Sequence, residues 1–222
     1  MYVGGGLPDA PCISVDTELF MNDLIYNQNH IPLNEHRYGF RPSADVGCGC
    51  VTTHNALRLM GYKTDIHQLI RYYEWQLPLI HGNAGTSFWG PAVCFRNWGF
   101  STELVVDRKR FDEAAKEADA CILFYRWRRK AKLGAHFVAL HHTETGFVGY
   151  NTYKNSTGPD HYGESLDRFL REKHYFGCVL LTIRKNKPLS GLEKQCNDTE
   201  RRRAVTTLGA PSTHRLSALP TK

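Results

Sequence analysis

The chain has 222 residues, of which 41% are hydrophobic, and its formal net charge of +6 reflects 28 lysines and arginines against 22 aspartates and glutamates. This length and apolar content suffice for one sizeable hydrophobic core. No stretch approaches the roughly 20 apolar residues that span a bilayer, and residues 1–16 lack the charged start and apolar run of a secretory signal. We therefore expect a soluble, cytoplasmic protein without a membrane segment.

The seven cysteines are odd in number, and three of them, at positions 94, 121 and 178, lie within apolar or aromatic stretches. This pattern argues against a fully paired disulfide framework and is typical of buried thiols in a reducing compartment. A net positive charge favours acidic partners or nucleic acid, but no zinc-finger spacing or aromatic-basic RNA-binding motif accompanies it. We therefore do not expect a nucleic-acid partner.

The composition changes near both ends of the chain. Residues 1–15 contain three successive glycines and two prolines, which predict a flexible N-terminal segment. Residues 187–222 lose apolar periodicity and are rich in basic and hydroxyl side chains, which predicts a disordered basic tail. The folded domain is therefore expected over residues 16–186.

Helices are predicted in the first half of this domain. Apolar residues recur at helical spacing over residues 48–60, and Gly61 follows as a C-cap. Asp65 is placed to cap a second helix over residues 66–75, and a short third helix is predicted over 89–98.

Strands dominate the second half. Alternating or continuous apolar runs predict strands over residues 102–106, 120–127, 134–141, 147–153 and 177–183. Short helices are expected over 111–117 and 165–174, a hairpin turn over 143–146, and a loop where the basic run from Arg126 to Lys132 follows a strand. Helices first and an antiparallel sheet second indicate an α+β fold.

A cysteine stands at the start of the first predicted helix. Cys48 follows Gly47 directly, so its thiol lies near unpaired backbone N–H groups and the positive end of the helix dipole, which favour the nucleophilic thiolate. The amide of Cys48 can also bind a developing oxyanion, and Gly49 lets a substrate backbone approach. Taken alone, a cysteine at the start of a helix is more often a structural residue that caps the helix and has a buried thiol.

Two residues of the predicted hairpin give Cys48 candidate catalytic partners. His136 lies within an apolar strand, where a histidine is either a satisfied core residue or a functional group held by the sheet. Asn151 follows on the next predicted strand, where a regular register would place its side-chain oxygen beside His136 and fix the imidazole tautomer. Cys48, His136 and Asn151 thus predict a nucleophile, a base and an orienting residue.

These motifs resemble those of the bacteriocin-processing, or double-glycine, peptidases, which belong to the papain-like superfamily. Residues 47–49, followed by small and apolar helix residues, are similar to that family's nucleophile motif, and residues 134–138 are similar to its histidine motif. Asn151 falls where the family has Asp or Asn. The resemblance covers roughly residues 40–185 and implies a papain-like cysteine peptidase fold, with N-terminal helices packed on an antiparallel sheet. It also implies hydrolysis of a peptide or protein substrate through a thioester, without a cofactor.

The chain departs from this family at the oxyanion hole. Relatives usually have a glutamine about six residues before the nucleophile, whereas residues 41–44 of this chain are Arg-Pro-Ser-Ala. Gln28 is too far upstream for a simple match. Arg41 or Ser43 is therefore the expected donor to the oxyanion.

Three other interpretations remain open. Cys48, Cys50, His54 and His136 are zinc-type ligands, but the spacing of the two cysteines is not the usual C-x2-C and no second pair follows, so we expect no metal. A catalytically inactive papain-like fold used for binding is consistent with the missing glutamine. An acyltransferase would use the same thioester chemistry with another acceptor.

Overall fold

The structure, a computed structural model, describes residues 11, 13–15, 23–29, 37–38, 41–76, 86–152 and 156–186. Within these residues the chain forms helices and a six-stranded antiparallel sheet, which confirms the predicted α+β class. The basic tail predicted over 187–222 and most of the predicted N-terminal segment lie outside the described residues. None of the helices in the described ranges is long and apolar enough to cross a bilayer.

The first half of the chain holds most of the helices. Its elements are β1 (Ile13–Val15), β2 (Arg37–Tyr38), β3 (Arg41–Pro42), α1 (Ser43–Val46), α2 (Cys48–Leu59), β4 (Tyr62–Thr64), α3 (Ile66–Gln76) and α4 (Gly90–Asn97). Strand β1 pairs with β4, so an ordered strand lies inside the segment that was predicted to be flexible.

The second half of the chain builds the large sheet. Its elements are β5 (Ser101–Val105), α5 (Phe111–Lys116), β6 (Ala120–Arg129), β7 (Lys132–Thr143), β8 (Gly146–Tyr150), β9 (Asp160–Gly163), α6 (Leu166–Glu172) and β10 (Phe176–Arg184). The strand order across the sheet is β5-β10-β6-β7-β8-β9, so β6, β7 and β8 are neighbours. The sequence did not predict β9.

The predicted helix boundaries are confirmed by their capping geometry. Gly61 follows α2 with a φ of 85°, a left-handed conformation that glycine adopts without steric cost. The Asp65 carboxylate accepts a hydrogen bond of 2.8 Å from the backbone N–H of His67 in the first turn of α3. Gly99, with a φ of 82°, follows α4 in the same way as Gly61 follows α2.

Helices cover both faces of the sheet. Successive residues of a strand point to opposite faces, so Ile122 of β6 packs with α2, α3 and α4 in one core, whereas Leu123 packs with α5 and α6 in another. Fully buried aromatic residues fill both cores, with Phe95 in the first and Phe147 in the second. The sheet is therefore a rigid central layer, and residues at the end of a strand can reach helices of either layer.

The prediction of a loop for the basic run is wrong. Strand β6 continues to Arg129 and β7 begins at Lys132, so these cations lie at the end of one long hairpin. The ladder pairs Trp127 with Gly134, and a Cβ atom at Gly134 would overlap the indole ring. The charges of this run suggested a loop, but its backbone groups are paired across the hairpin, and glycine leaves the indole room to pack on the strand.

Strand β8 ends before Asn151, although the sequence predicted a strand through residue 153. Asn151 has a φ of 63°, and this left-handed conformation is more accessible to asparagine than to most other residues. The β7–β8 ladder accordingly begins at the pair Ala139–Tyr150. The part of β7 that precedes Ala139, including His136, is therefore not paired with β8.

A carboxylate on α5 fixes the start of α6 and so supports the aromatic residues near His136. The Asp112 carboxylate accepts hydrogen bonds from the Ser165 hydroxyl at 2.6 Å and from the backbone N–H of Leu166 at 2.7 Å. After α6, the ring of Tyr175 stacks on Tyr125 with centroids 4.2 Å apart. Tyr125 is the cross-strand partner of His136.

We expect Asp112→Ala to lower the free energy of unfolding by about 1–3 kcal/mol, because two part-buried donors lose a charged acceptor. Chemical denaturation with matched m-values measures this loss. Glu113→Ala is the matched control, since Glu113 is an exposed carboxylate on the same helix and should change stability by no more than about 0.5 kcal/mol. Equal losses in the two variants would contradict the assigned role of Asp112.

Candidate active site

The candidate nucleophile lies at the first residue of α2. Burial raises the pKa of the Cys48 thiol from 9.0 to about 11, and the nearby backbone N–H groups of Phe137, Gly49 and Cys48 itself offset only part of that rise. The thiolate expected from the helix N-terminus is therefore not the resting form. Cys48 is a neutral thiol at pH 7, and it needs a base to become a nucleophile.

His136 lies on β7 with one ring nitrogen engaged. Its Nε2 atom is 2.6 Å from the backbone carbonyl oxygen of Asn151. A carbonyl only accepts hydrogen bonds, so Nε2 carries the proton, and in the neutral imidazole the lone pair is on Nδ1. Burial lowers the pKa of His136 below its usual 6.5, and the bond to Asn151 offsets part of that shift. His136 is therefore a neutral imidazole at pH 7 whose Nδ1 can accept a proton.

Cys48 lies near β7 through the residue that follows His136. The backbone amide of Phe137 is close enough to the Cys48 sulfur to lower the pKa of the thiol. Helix α2 packs against β7, and β8 does not pair with β7 before Ala139. Among the three residues predicted to form the site, His136 and Asn151 are in direct contact, and Cys48 lies beside the strand that carries His136.

Asn151 contacts His136 in a different way from the one expected. Its backbone carbonyl, not its side chain, orients the imidazole. The side-chain amide is 2% exposed and binds Gln28 twice: Oδ1 accepts from the backbone N–H of Gln28 at 3.0 Å, and Nδ2 donates to Gln28 Oε1 at 3.1 Å. The predicted side-chain contact is corrected to a backbone contact, because the turn at Asn151 directs its carbonyl toward the ring.

Gln28 therefore belongs to the site, although its distance from Cys48 in the sequence argued against it. It lies in an irregular segment, residues 23–29, which we call the strap. The side-chain amide of Asn55 on α2 binds the strap through the N–H and C=O groups of Ile25, both at 2.9 Å. The strap thus reaches from α2 to Asn151, and only this tertiary contact brings Gln28 close. No local sequence signal could have revealed it.

A cavity of about 580 Å³ opens beside His136. Gln28, His136 and Asn151 line one part of it, and the aromatic rings of Tyr125, Trp127 and Tyr175 line another. Asp45 and Arg129 add one charge of each sign. Cys48 is not among the residues that line the cavity; it is half-buried and packs against the first core. The cavity can hold several residues of an extended peptide or a small molecule.

The residues expected to assist the oxyanion have different environments. The side chains of Arg41 and Ser43 lie outside the described part of the structure. Gly49 is buried, and a Cβ atom added to it would lie 2.6 Å from Thr86 Oγ1. Glycine at position 49 is therefore required by the approach of Thr86, and its role in substrate binding stays a prediction.

The residues considered for zinc do not converge. Among the described residues, no group of three or more His, Cys, Asp or Glu side chains is placed to hold a metal ion. Cys50 is fully buried in the first core, and His54 Nε2 is 3.0 Å from the backbone carbonyl of Asp23. The cysteines at 94, 121 and 178 are also buried free thiols, as predicted.

The chain matches no protein-family profile, and no curated protein is detectably similar to it. The interpretation of the site therefore depends on the geometry around Cys48 and His136.

We expect alkylation of Cys48 by iodoacetamide at pH 7 to be about 100-fold slower than that of a thiol of pKa 9.0, because a pKa two units higher leaves 100-fold less thiolate. The rate should rise with pH until about pH 11. Peptide mass spectrometry after timed alkylation measures each cysteine separately, and glutathione is the free-thiol control. Rapid alkylation of Cys48 below pH 8 would show that its thiolate is stabilised after all.

Proposed function

We propose that this chain is a papain-like cysteine peptidase or amidase that uses Cys48, His136 and Asn151. The observation that carries the proposal is the hydrogen bond from His136 Nε2 to the Asn151 carbonyl. It leaves Nδ1 as the basic nitrogen, on a strand whose next backbone amide lies near the Cys48 sulfur. The order of the elements, with helix α2 first and the histidine strand afterwards, also supports the resemblance to papain-like peptidases.

In the proposed reaction, His136 acts as a general base. The Cys48 proton moves to His136 Nδ1 while the sulfur attacks the substrate carbonyl carbon and forms a tetrahedral intermediate. The imidazolium then protonates the leaving amine, the C–N bond breaks and a thioester remains on Cys48. Water attacks the thioester with His136 again accepting a proton, which releases a carboxylic acid and restores the thiol.

The oxyanion of the intermediate needs two hydrogen-bond donors. We assign the backbone amide of Cys48 as one of them, because Cys48 is the first residue of α2 and its N–H has no acceptor within the helix. We assign the side chain of Gln28 as the other. Gln28 lines the cavity together with His136, and its side chain is held there by the hydrogen bond that its Oε1 accepts from Asn151. Gln28 would then supply the group that the sequence near residue 42 lacks.

A binding module without catalysis is the second candidate. It is favoured by the burial of Cys48, which keeps the thiol protonated, and by the absence of Cys48 from the residues that line the cavity. Acyl transfer to an amine in place of water would use the same thioester and the same residues. Trapping the acyl-enzyme separates catalysis from binding, and adding glycinamide as an acceptor separates transfer from hydrolysis.

We expect p-nitrophenyl acetate to acetylate Cys48, and His136→Ala to slow this acetylation about 100-fold or more. The rate should rise with pH through the lowered pKa of His136, below 6.5, because only the neutral imidazole accepts the proton. It should not fall again through deprotonation of Cys48, whose pKa is about 11 and whose thiolate is itself nucleophilic. Stopped-flow detection of p-nitrophenolate and peptide mapping of the acetyl group provide the measurements.

His142→Ala is the matched control for this experiment, since His142 is an exposed histidine on the same strand. It should leave the acetylation rate unchanged, and Cys48→Ser should remove the acetyl group from this peptide. Equal rates in wild type and His136→Ala would overturn the proposed mechanism.

Gln28→Glu tests the second oxyanion donor. Glutamate keeps the carboxyl oxygen that accepts from Asn151 but has no amide N–H, so we expect acylation at saturating p-nitrophenyl acetate to slow about 100-fold to 1,000-fold. Thermal denaturation should show that the side-chain contact between residue 28 and Asn151 is retained in Gln28→Glu. Gln28→Ala should lose both this contact and the activity. A Gln28→Glu variant with full acylation activity would show that Gln28 only fastens the strap.

A further inference from the structure

The end of the β6–β7 hairpin concentrates positive charge. Five cations, which we call the basic tip, lie on the last residues of β6, in the turn and on the first residue of β7: Arg126, Arg128, Arg129, Lys130 and Lys132. In the described ranges none of them forms an ion pair, while arginines elsewhere pair with carboxylates. Unlike those arginines, the cations of the basic tip have no neutralising partner in the described structure.

The register of the hairpin places two of these cations opposite each other, and their repulsion is unfavourable when no anion is bound. Arg129 and Lys132 are direct cross-strand partners. Like charges at opposed positions of a ladder are destabilising, and a bound anion relieves that repulsion. A hairpin end with no binding role would gain stability from a carboxylate at either position.

The basic tip continues into the cavity beside His136. Side chains at alternate positions of a strand share a face, so Tyr125, Trp127 and Arg129 form one row from the cavity to the turn. The Arg129 guanidinium lies over the Trp127 ring, 5.8 Å from its centroid, which holds the charge at the rim. Arg129 is four residues from the partner of His136, about 13 Å along the strand.

We propose that the basic tip binds acidic side chains of the peptide on which Cys48 acts, about four residues from the scissile bond. The inference rests on the proposed function, because it assigns the aromatic cavity to the residues nearest the bond. A peptide laid along the row in extended form advances about 3.3 Å per residue, so its fourth residue reaches Arg129. On the face of this row, Asp45 places a single negative charge in the cavity lining, against the positive charges of Arg129 and its cross-strand partner Lys132.

An acidic peptide fits this surface better than a nucleic acid or an anionic membrane. The cations sit at one end of a hairpin and border an aromatic cavity, whereas a polyphosphate backbone is bound along an extended basic groove. Membrane binding would need a continuous apolar surface around the charges, whereas the described residues near them include two exposed large apolar side chains, Leu133 and Phe176.

The binding test uses the full chain with Cys48→Ser, so that no peptide is consumed. Fluorescein-labelled peptides have a central tyrosine for the aromatic cavity and two glutamates placed four residues before or after it. Peptides with glutamine in place of glutamate are the matched controls. At low salt we expect one of the two glutamate peptides to bind about 5-fold to 10-fold more tightly than its glutamine control, and this ratio should fall toward one in 1 M salt.

Charge reversal identifies the surface. Arg129→Glu/Lys132→Glu should abolish the preference for glutamate, whereas Lys63→Glu, which reverses an exposed cation on β4, should retain it. The circular dichroism of each variant shows whether it is folded. Equal affinities for glutamate and glutamine peptides in both placements would overturn the proposal, as would a preference that survives the double reversal.

Two further measurements separate the competing outcomes. A single-stranded oligonucleotide or a phosphatidylserine vesicle that binds more tightly than every glutamate peptide, through Arg129, would overturn the proposal in favour of that ligand. Cleavage by the wild type is assayed separately with quenched forms of the same peptides. Acid-selective binding without cleavage would contradict the proposed function but support the basic tip as a site for acidic side chains. Cleavage without a preference for glutamate would support the proposed function and overturn the role of the basic tip.

Discussion

The hydrogen bond between His136 Nε2 and the Asn151 carbonyl is the contact around which the candidate site is arranged. It requires Asn151 to leave the strand in a left-handed conformation, and that turn ends β8. Because β8 ends there, the edge of β7 at His136 and Phe137 is not paired with β8. The same residue binds Gln28 through its side chain. The conformation of Asn151 therefore holds both His136 and the strap.

The electrostatic balance at Cys48 follows from burial more than from the helix. A helix N-terminus stabilises a nearby negative charge by about 0.3–1 kcal/mol at exposed positions. A pKa raised from 9.0 to about 11 corresponds to about 2–3 kcal/mol against the thiolate. Burial lowers the pKa of His136 at the same time, so both partners are neutral. Such a pair transfers its proton during attack, as in a serine hydrolase, and does not rest as an ion pair.

The sequence predicted the elements with strong periodicity and clear caps, and with them the order of Cys48, His136 and Asn151. Helix α2 was predictable because apolar spacing and Gly61 agree. The contact between His136 and the Asn151 backbone carbonyl was not predictable, because a left-handed turn at asparagine leaves no periodic pattern in the sequence. Gln28 was not predictable because its position depends on Asn55 and Asn151, which are distant in the sequence. The high charge of the basic run predicted that it is exposed to solvent, which is correct. It also predicted a loop, which is wrong because the run forms part of the β6–β7 hairpin.

The β6–β7 hairpin joins the two parts of the molecule for which we propose roles. His136 lies near the middle of β7, where Phe137 and Val138 are buried in the two cores, and the basic tip lies at its free end. The half-buried His136 is held by its ring contact with Tyr125 and its hydrogen bond to Asn151, whereas the cations beyond Trp127 are exposed. Since both lie on one pair of strands in continuous register, a peptide bound at the tip is positioned relative to His136 by the spacing of the strand itself. Selectivity for a distant acidic residue would then require no movement of the site.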